Sequence, residues 1–136
     1  MQMNVYVFTK PFVNNVKVTM IDCCRKEVVF DGYANAIPDK YMFKLIKSAT
    51  IVSANRVQIT IDTSMVIANT IEPDVWDYVN VLADDGYAPE VTMIDAETNE
   101  VDYVGYTEYM PDTYDYATIV NVRIRSYSII EVEFEM

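Results

Sequence analysis

The side chains of this sequence that could do chemistry are mostly carboxylates, and they concentrate in its second half. Residues 1–68 carry 8 basic and 5 acidic side chains, whereas residues 69–136 carry 2 basic and 16 acidic ones. Binding to nucleic acid or to anionic membranes requires clustered lysine and arginine, so neither is expected. Carboxylates at this density repel one another, and a basic partner protein would relieve that repulsion. The charge pattern therefore favours a protein-binding function.

The last strand predicted from the sequence places three of these carboxylates in a row. Glu131, Glu133 and Glu135 alternate with apolar residues, so they share one face of a strand. Their spacing of about 6.6–6.8 Å is close to two phosphate steps along a DNA strand, at roughly 3.4 Å each. The row is therefore compatible with a phosphate mimic. A solvated sheet face that charge protects from edge pairing is the alternative interpretation.

A second candidate surface lies in residues 102–116, which hold five tyrosines and four acids. Tyrosine is enriched in the hot spots of protein interfaces. Four of the tyrosines match aromatic residues of the first half and are expected to pack in the core: Tyr103, Tyr106, Tyr114 and Tyr116. Tyr109 matches Ala36 and is a candidate for recognition. The predicted partner-binding residues are Asp102, Glu108, Tyr109, Asp112, Asp115, Glu131, Glu133 and Glu135.

Catalytic and metal-binding signatures are absent from the sequence. There is no histidine for general base chemistry, no glycine-rich phosphate loop and no Cys/His metal set. A carboxylate pair such as Asp22 and Asp95 could form a two-carboxylate site, but no spacing requires it. Cys23 and Cys24 are neighbours, so they cannot link distant parts of the fold, and a disulfide between them would be strained. We therefore predict no enzyme activity, no cofactor and no metal ion.

An internal repeat organises the chain. The segment VTMIDCCRKEVVFDGYANAIPDKY, which begins at Val18, aligns without a gap with VTMIDAETNEVDYVGYTEYMPDTY, which begins at Val91. Extended to residues 18–62 and 91–135, this offset of 73 gives 15 identities in 45 positions. Two unrelated stretches would not share so many residues in register, so a tandem duplication is predicted.

The duplication is predicted to include the first strand of each unit, because NVYVFT at 4–9 matches YVNVLA at 78–83. The units then cover approximately residues 3–65 and 75–136. Units of this size rarely bury enough apolar area alone. The two are therefore expected to share one core about a pseudo-twofold axis, within a single domain that spans residues 1–136.

Each unit is predicted to consist mainly of antiparallel strands, which makes the fold class α+β and β-dominated. A glycine shared by both third strands indicates a bulge or a close backbone approach. Apolar residues at helical spacing predict a short helix in the first unit, within DKYMFKLIKSA at 39–49, while the second unit is expected to keep only a turn there. The other predicted strands are 3–9, 16–22 and 27–34 in the first unit, and 75–83, 90–95 and 100–107 in the second.

These features lead to one functional prediction and two alternatives. The predicted function is a non-enzymatic, cytoplasmic inhibitor that occupies the basic nucleic-acid-binding site of a partner such as a nuclease. Phage and other mobile elements use inhibitors of this kind against host defence. The alternatives are an assembly module that forms a homodimer or larger homo-oligomer through strand edges, and a small-molecule binder with a pocket at the repeat interface around Trp76 and the tyrosines. No segment reaches the roughly 18 apolar residues that a membrane span requires.

Overall fold

The computed structural model describes residues 2–13, 15–82, 89–127 and 129–136. Its first unit contains α1 (Val5–Thr9), β1 (Lys17–Asp22), β2 (Glu27–Tyr33), α2 (Asp39–Met42), β3 (Lys44–Ser53) and β4 (Arg56–Val66). Its second unit contains α3 (Val75–Val81), β5 (Glu90–Asp95), β6 (Val101–Tyr106), β7 (Thr118–Ser126) and β8 (Ile129–Glu135). Short 3₁₀ turns lie at Ala34–Ala36, Thr107–Tyr109 and Asp112–Tyr116.

The strands form two four-stranded sheets of equivalent order, β2-β1-β4-β3 and β6-β5-β8-β7. The predicted β-dominated α+β fold with two like units is confirmed. Each sheet is mixed, because its central pair is parallel while its two outer pairs are antiparallel. In the first unit, the connection through residues 34–43 brings the second hairpin round so that β4 lies parallel to β1. Alternation in a sequence indicates which face a strand buries, but not the direction of its neighbour.

The segments predicted as the first strands of the two units are helices. The prediction of strands at 3–9 and 75–83 is wrong, since α1 and α3 lie there. Residue 83 lies outside the described part of the chain. The side chains of Asn4 and Asp74 each accept a hydrogen bond from a backbone N–H of the first helical turn, so both helices begin at a capped residue. Helices of 5 and 7 residues are too short to show a helical period. Among the described residues, no helix is long and apolar enough to cross a membrane.

The helix caps also correct the alignment of the two units at their beginnings. Asn4 caps α1 and Asp74 caps α3, which sets an offset of 70 between the matching positions. Phe8 and Tyr78 then occupy equivalent places, four residues after each cap. The predicted match of NVYVFT with YVNVLA uses an offset of 74 and is therefore wrong.

Equivalent aromatic residues of the two units stack on each other in the core. The ring centroids of Phe8 and Tyr78 lie 5.2 Å apart, with an interplanar angle of 19°. Both residues are fully buried, and the Tyr78 hydroxyl donates a hydrogen bond of 2.6 Å to the carbonyl oxygen of Phe8. Buried apolar residues from both sheets and from α1 and α3 form one contiguous cluster. The two units therefore share one core, as predicted.

The helix predicted for residues 39–49 is limited to its first turn. α2 covers Asp39–Met42, and β3 begins two residues later. The backbone N–H of Ile46 donates a hydrogen bond of 2.9 Å to the carbonyl oxygen of Met3, and β3 pairs along its length with β4. Backbone pairing with distant residues thus overrides a helical apolar pattern. In the second unit the expected turn is confirmed as the 3₁₀ turn at Asp112–Tyr116.

The glycine shared by β2 and β6 makes room for an aromatic ring. A Cβ atom on Gly105 would lie 2.8 Å from the hydroxyl oxygen of Tyr103, and one on Gly32 would lie 3.0 Å from Cζ of Phe30. The close approach predicted for this glycine is therefore made by a side chain two residues earlier on the same strand. The bulge in each pair lies beside that aromatic residue.

The segment that precedes β1 covers β3 and β7, the strands through which the two sheets contact each other. Asn4 forms an antiparallel bridge with Leu45 of β3. On β7, the N–H of Val122 donates a hydrogen bond of 2.7 Å to the carbonyl oxygen of Pro11, and its carbonyl oxygen accepts one of 3.3 Å from Val13. The opposite edges, β2 and β6, have no further strand beside them in the described part of the chain. These two strands are therefore the open edges of the sheets.

We expect Tyr78→Phe to lower the free energy of unfolding by about 1 kcal/mol, because the carbonyl oxygen of Phe8 loses its buried donor while the ring stack remains. Tyr78→Ala should cost about 3–5 kcal/mol, because it also removes the ring. Urea unfolding measures both differences. Tyr109→Phe is the matched control, since Tyr109 is 73% exposed. Equal effects of Tyr78→Phe and Tyr109→Phe would contradict a stabilising role for the buried hydrogen bond.

Candidate functional site

The eight residues predicted to bind a partner lie in two parts of the second unit. One part is the β8 row, which consists of Glu131, Glu133 and Glu135. β8 is an interior strand, and β5 separates it from the edge strand β6. The other five residues lie on β6 and in the turns that follow it: Asp102, Glu108, Tyr109, Asp112 and Asp115.

The β8 row shares one face of its strand, but two of its carboxylates already have cationic partners. Glu131 accepts a hydrogen bond of 2.8 Å from Arg125. Glu133 is paired with Arg123. The residues between the acids are buried, so the row lies on the outward face of the sheet. Only Glu135 of the row is exposed without an ion pair in the described part of the chain. The row therefore carries less unbalanced charge than its sequence indicates.

Asp102 has a structural contact that its sequence context does not reveal. It occupies the bulge of β6, and its carboxylate accepts a hydrogen bond from the hydroxyl of Tyr114. Tyr114 is 3% exposed; burial, followed by this contact with Asp102, raises the pKa of its hydroxyl well above the usual value. Val29 and Tyr41 hold the matching positions in the first unit, so no carboxylate is available there. Asp102 therefore holds the 3₁₀ turn at Asp112–Tyr116 in place.

The acidic tyrosine segment, defined as residues 106–116, presents three aromatic side chains to solvent. Tyr106 is 55% exposed, Tyr109 73% and Tyr116 87%. The prediction that Tyr106 and Tyr116 pack in the core is wrong, whereas core packing is confirmed for Tyr103 and Tyr114. The aromatic residues that match Tyr106 and Tyr116 in the first unit are also exposed. An aromatic residue at the same position in both units is therefore not necessarily buried.

The carboxylates of the acidic tyrosine segment form no ion pair within the part of the chain that the structure describes. Glu108, Asp112 and Asp115 are exposed, and among the described residues none of the three forms an ion pair. Two 3₁₀ turns hold the backbone, closed by hydrogen bonds of 3.0 Å from Met110 to Thr107 and from Ala117 to Tyr114. The segment thus combines fixed backbone, negative charge and exposed aromatic rings.

A second group of reactive side chains lies in the cysteine turn, defined as residues 22–26 between β1 and β2. The carboxylate of Asp22 and the thiols of Cys23 and Cys24 lie within 4.8 Å of one another. Asp22 is buried, Cys23 is partly buried and Cys24 is exposed. The two sulfur atoms are 3.6 Å apart, so both residues are free thiols. Adjacent cysteines in a sequence do not indicate that a buried carboxylate joins them, which is why sequence reasoning missed this group.

The cysteine turn is poorly suited to nucleophilic chemistry. Desolvation raises the pKa of Cys23, and the Cys24 thiol and the carboxylates of Asp62 and Asp22 raise it further. The nucleophilic form of cysteine is the thiolate, which a raised pKa disfavours at neutral pH. The turn therefore lacks an activated nucleophile.

A small cavity of about 110 Å³ lies where the two units meet. Its lining includes Val7, Tyr78 and Ile119. Trp76, which the small-molecule hypothesis places near such a site, is 44% exposed and does not line this cavity. Pockets for drug-sized ligands usually measure roughly 300–1,000 Å³. The cavity therefore does not favour the small-molecule hypothesis.

Comparison of the chain with models of protein families, with curated proteins and with solved structures finds no match.

We expect the stability of the second sheet to depend on pH through Glu133. Hydrogen bonds from Arg123 and Asn121 hold the pKa of this carboxyl group below its usual value of 4.5. A group whose pKa is lowered by folding stabilises the fold above its unfolded pKa, and this contribution is lost as the pH falls through the folded pKa. Glu133→Gln should therefore lower the free energy of unfolding at neutral pH, and the difference from wild type should shrink below pH 4.5.

Urea unfolding over a series of pH values measures this difference. Asp62 also has a lowered pKa, caused by hydrogen bonds from the hydroxyl and the backbone N–H of Ser64. Because Asp62 is present in both proteins, the difference between them isolates Glu133. A difference that stays constant with pH would show that Glu133 gains nothing from being ionised in the folded protein.

Proposed function

We propose that this protein is a non-enzymatic binding protein whose acidic tyrosine segment docks on a basic site of a partner protein. The observation that supports this most strongly is the combination, in one short stretch of chain, of three exposed tyrosines and three carboxylates that form no ion pair with the described residues. Tyrosine supplies a large contact area at a low cost in conformational entropy. Unbalanced carboxylates accelerate association with a basic surface and select against acidic ones.

The geometry of the segment favours binding because much of its ordering is already present in the free protein. The buried Tyr114, held by Asp102, ties the segment to the core. The hydroxyl of Tyr103 donates a hydrogen bond of 2.7 Å to the carbonyl oxygen of Tyr106, at the point where the segment begins. A preorganised surface loses less entropy on association than a flexible one.

The partner class we propose is a nucleic-acid-binding protein such as a nuclease, with the acids in place of phosphates. A site that binds phosphates presents clustered arginine and lysine, which exposed carboxylates can also satisfy. In the β8 row, a partner would have to displace Arg123 and Arg125 before it could use Glu133 and Glu131. The mimicry is therefore assigned mainly to the acidic tyrosine segment, with Glu135 as an additional contact. An inhibitor of this type, of the kind that phage and other mobile elements carry, would act in the cytoplasm.

The experiment is a pull-down from the native host, followed by binding measurements with the captured protein at two salt concentrations. The triple variant Glu108→Gln, Asp112→Asn, Asp115→Asn should weaken binding by about 1 kcal/mol or more, which is roughly fivefold, and the loss should be larger at low salt. Tyr109→Ala should weaken binding by a similar amount at both salt concentrations, because it removes contact area and not charge.

The matched control is a triple variant of the first unit that removes the same number of exposed charges: Glu27→Gln, Asp31→Asn and Asp39→Asn. It should bind the partner as wild type does. Nucleic acid should compete with the protein for the partner. Equal weakening by both triple variants, or binding that nucleic acid does not displace, would argue against docking in a nucleic-acid-binding site.

A second candidate function, self-assembly, is favoured by the open edges β2 and β6. Unpaired strand edges offer backbone donors and acceptors to another chain. Both edges also expose apolar side chains, since Val28 is 59% exposed and Val104 is 56% exposed. A lysine at the edge of a strand blocks pairing of this kind.

If the protein assembles through its edges, sedimentation should show mass that rises with concentration, and Val28→Lys or Val104→Lys should reduce it. The exposed Val52, on the covered strand β3, provides the control substitution Val52→Lys. A wild-type monomer at all concentrations would exclude assembly through these edges.

A further inference from the structure

The two units build the same turn with and without cysteines. In the first unit, the N–H of Lys26 donates a hydrogen bond of 2.8 Å to the carbonyl oxygen of Asp22; in the second, Asn99 donates one of 2.8 Å to that of Asp95. Lys26 and Asn99 both adopt a positive φ, of 55° and 59°. The second unit therefore serves as an internal control for the cysteine turn.

This control shows that the fold does not require the thiols. Ala96 and Glu97 stand where the first unit has Cys23 and Cys24. The N–H of Cys23 donates a hydrogen bond of 2.8 Å to a carbonyl oxygen of β4, and that of Ala96 donates one of 2.9 Å to the equivalent strand β8. These are backbone bonds that either residue can form. The two thiols are therefore additions to a turn that is complete without them.

The two thiols have the separation that ligands of one metal ion require, and a carboxylate lies beside them. Two sulfur atoms bound to the same tetrahedral Zn²⁺ at about 2.3 Å each would lie about 3.8 Å apart. The Sγ atoms of Cys23 and Cys24 are 3.6 Å apart, and a carboxylate oxygen of Asp22 lies within 4.8 Å of both. The side chain of Asp22 is only 2% exposed, so its position is fixed by packing. Movement of the Cys23 and Cys24 side chains towards the fixed Asp22 carboxylate would bring all three groups onto one ion.

We propose that Asp22, Cys23 and Cys24 form a binding site for a single thiophilic metal ion such as Zn²⁺ or Cd²⁺. Thiolate sulfur selects such ions over Mg²⁺ and Ca²⁺, which prefer oxygen ligands. The two thiols bind as thiolates, so their protons pass to solvent when the ion enters. Three protein ligands leave a fourth position of a tetrahedral ion for water or for a group on a partner.

The surroundings of the turn permit entry of the ion. Cys24 is exposed to solvent, so the site opens outwards. The guanidinium of Arg25 lies 3.8 Å from the Asp22 carboxylate, but the Arg25 side chain is 73% exposed and can turn away into water. The site lies in the first unit and does not depend on the acidic tyrosine segment, so it stands or fails separately from the proposed function.

The test is titration of the reduced, full-length protein with Zn²⁺, and with Co²⁺ as a spectroscopic probe. Wild type should bind one equivalent, retain it in excess Mg²⁺, and show thiolate-to-metal charge-transfer absorption with Co²⁺. The double variant Cys23→Ala, Cys24→Glu installs the residues of the second unit, which that unit shows to fit the turn. It should lower Zn²⁺ affinity by more than about 100-fold, since loss of a residue that only orients a ligand already costs roughly 10–100-fold.

Carboxylates elsewhere on this acidic chain provide the alternative explanation for metal binding. Cys23→Ser, Cys24→Ser keeps every carboxylate and nearly the same side-chain shape, and should lose both the tight equivalent and the charge-transfer band. Near-ultraviolet circular dichroism and thermal unfolding without metal establish that the variants are folded. Zn²⁺ binding that survives in either double variant, that excess Mg²⁺ displaces, or that is absent from wild type would overturn the site.

Discussion

The contact on which the rest of the structure depends is the stack between Phe8 and Tyr78. The buried apolar residues of the two units form one cluster, and these equivalent residues meet where the units join. The carbonyl oxygen of Phe8 belongs to the last turn of a helix, so it has no partner within α1. The Tyr78 hydroxyl satisfies it, and no equivalent bond runs the other way because phenylalanine has no hydroxyl. One ring contact thus provides both packing and a buried polar bond.

The way the units join determines which surfaces are left for binding. The chain before and after α1 lies along β3 and β7, so the edges nearest the junction already have backbone partners. What stays open is the opposite side of each sheet, with the edge strands β2 and β6 and the turns beside them. The cysteine turn precedes β2, and the acidic tyrosine segment follows β6. Both groups expose side chains to solvent, so a ligand or partner can reach them.

The internal repeat predicted most of the fold, because both units repeat the alternation of β1, β2 and β4. It failed where elements are short or held by distant residues. α1 is a single helical turn, so its cap at Asn4 was the only local signal. β3 carries a helical pattern, but Ile46 pairs with Met3 across the fold. For the candidate site, the sequence located the acidic residues but not their partners. Arg123 of β7 pairs with Glu133 of the neighbouring strand β8, and such a pair depends on the register between the two strands.

A residue that differs between the two units is a candidate for function only if the difference has no role in folding. Asp102 has no acidic counterpart in the first unit, but its carboxylate accepts a hydrogen bond from Tyr114 and therefore has a structural role. Tyr109 remains a candidate for function, because it is exposed and matches an alanine in the first unit. Cys23 and Cys24 also remain candidates, because the same turn forms in the second unit without thiols. Residues that differ between the units and that the shared scaffold does not use are therefore the candidates for a role outside the fold.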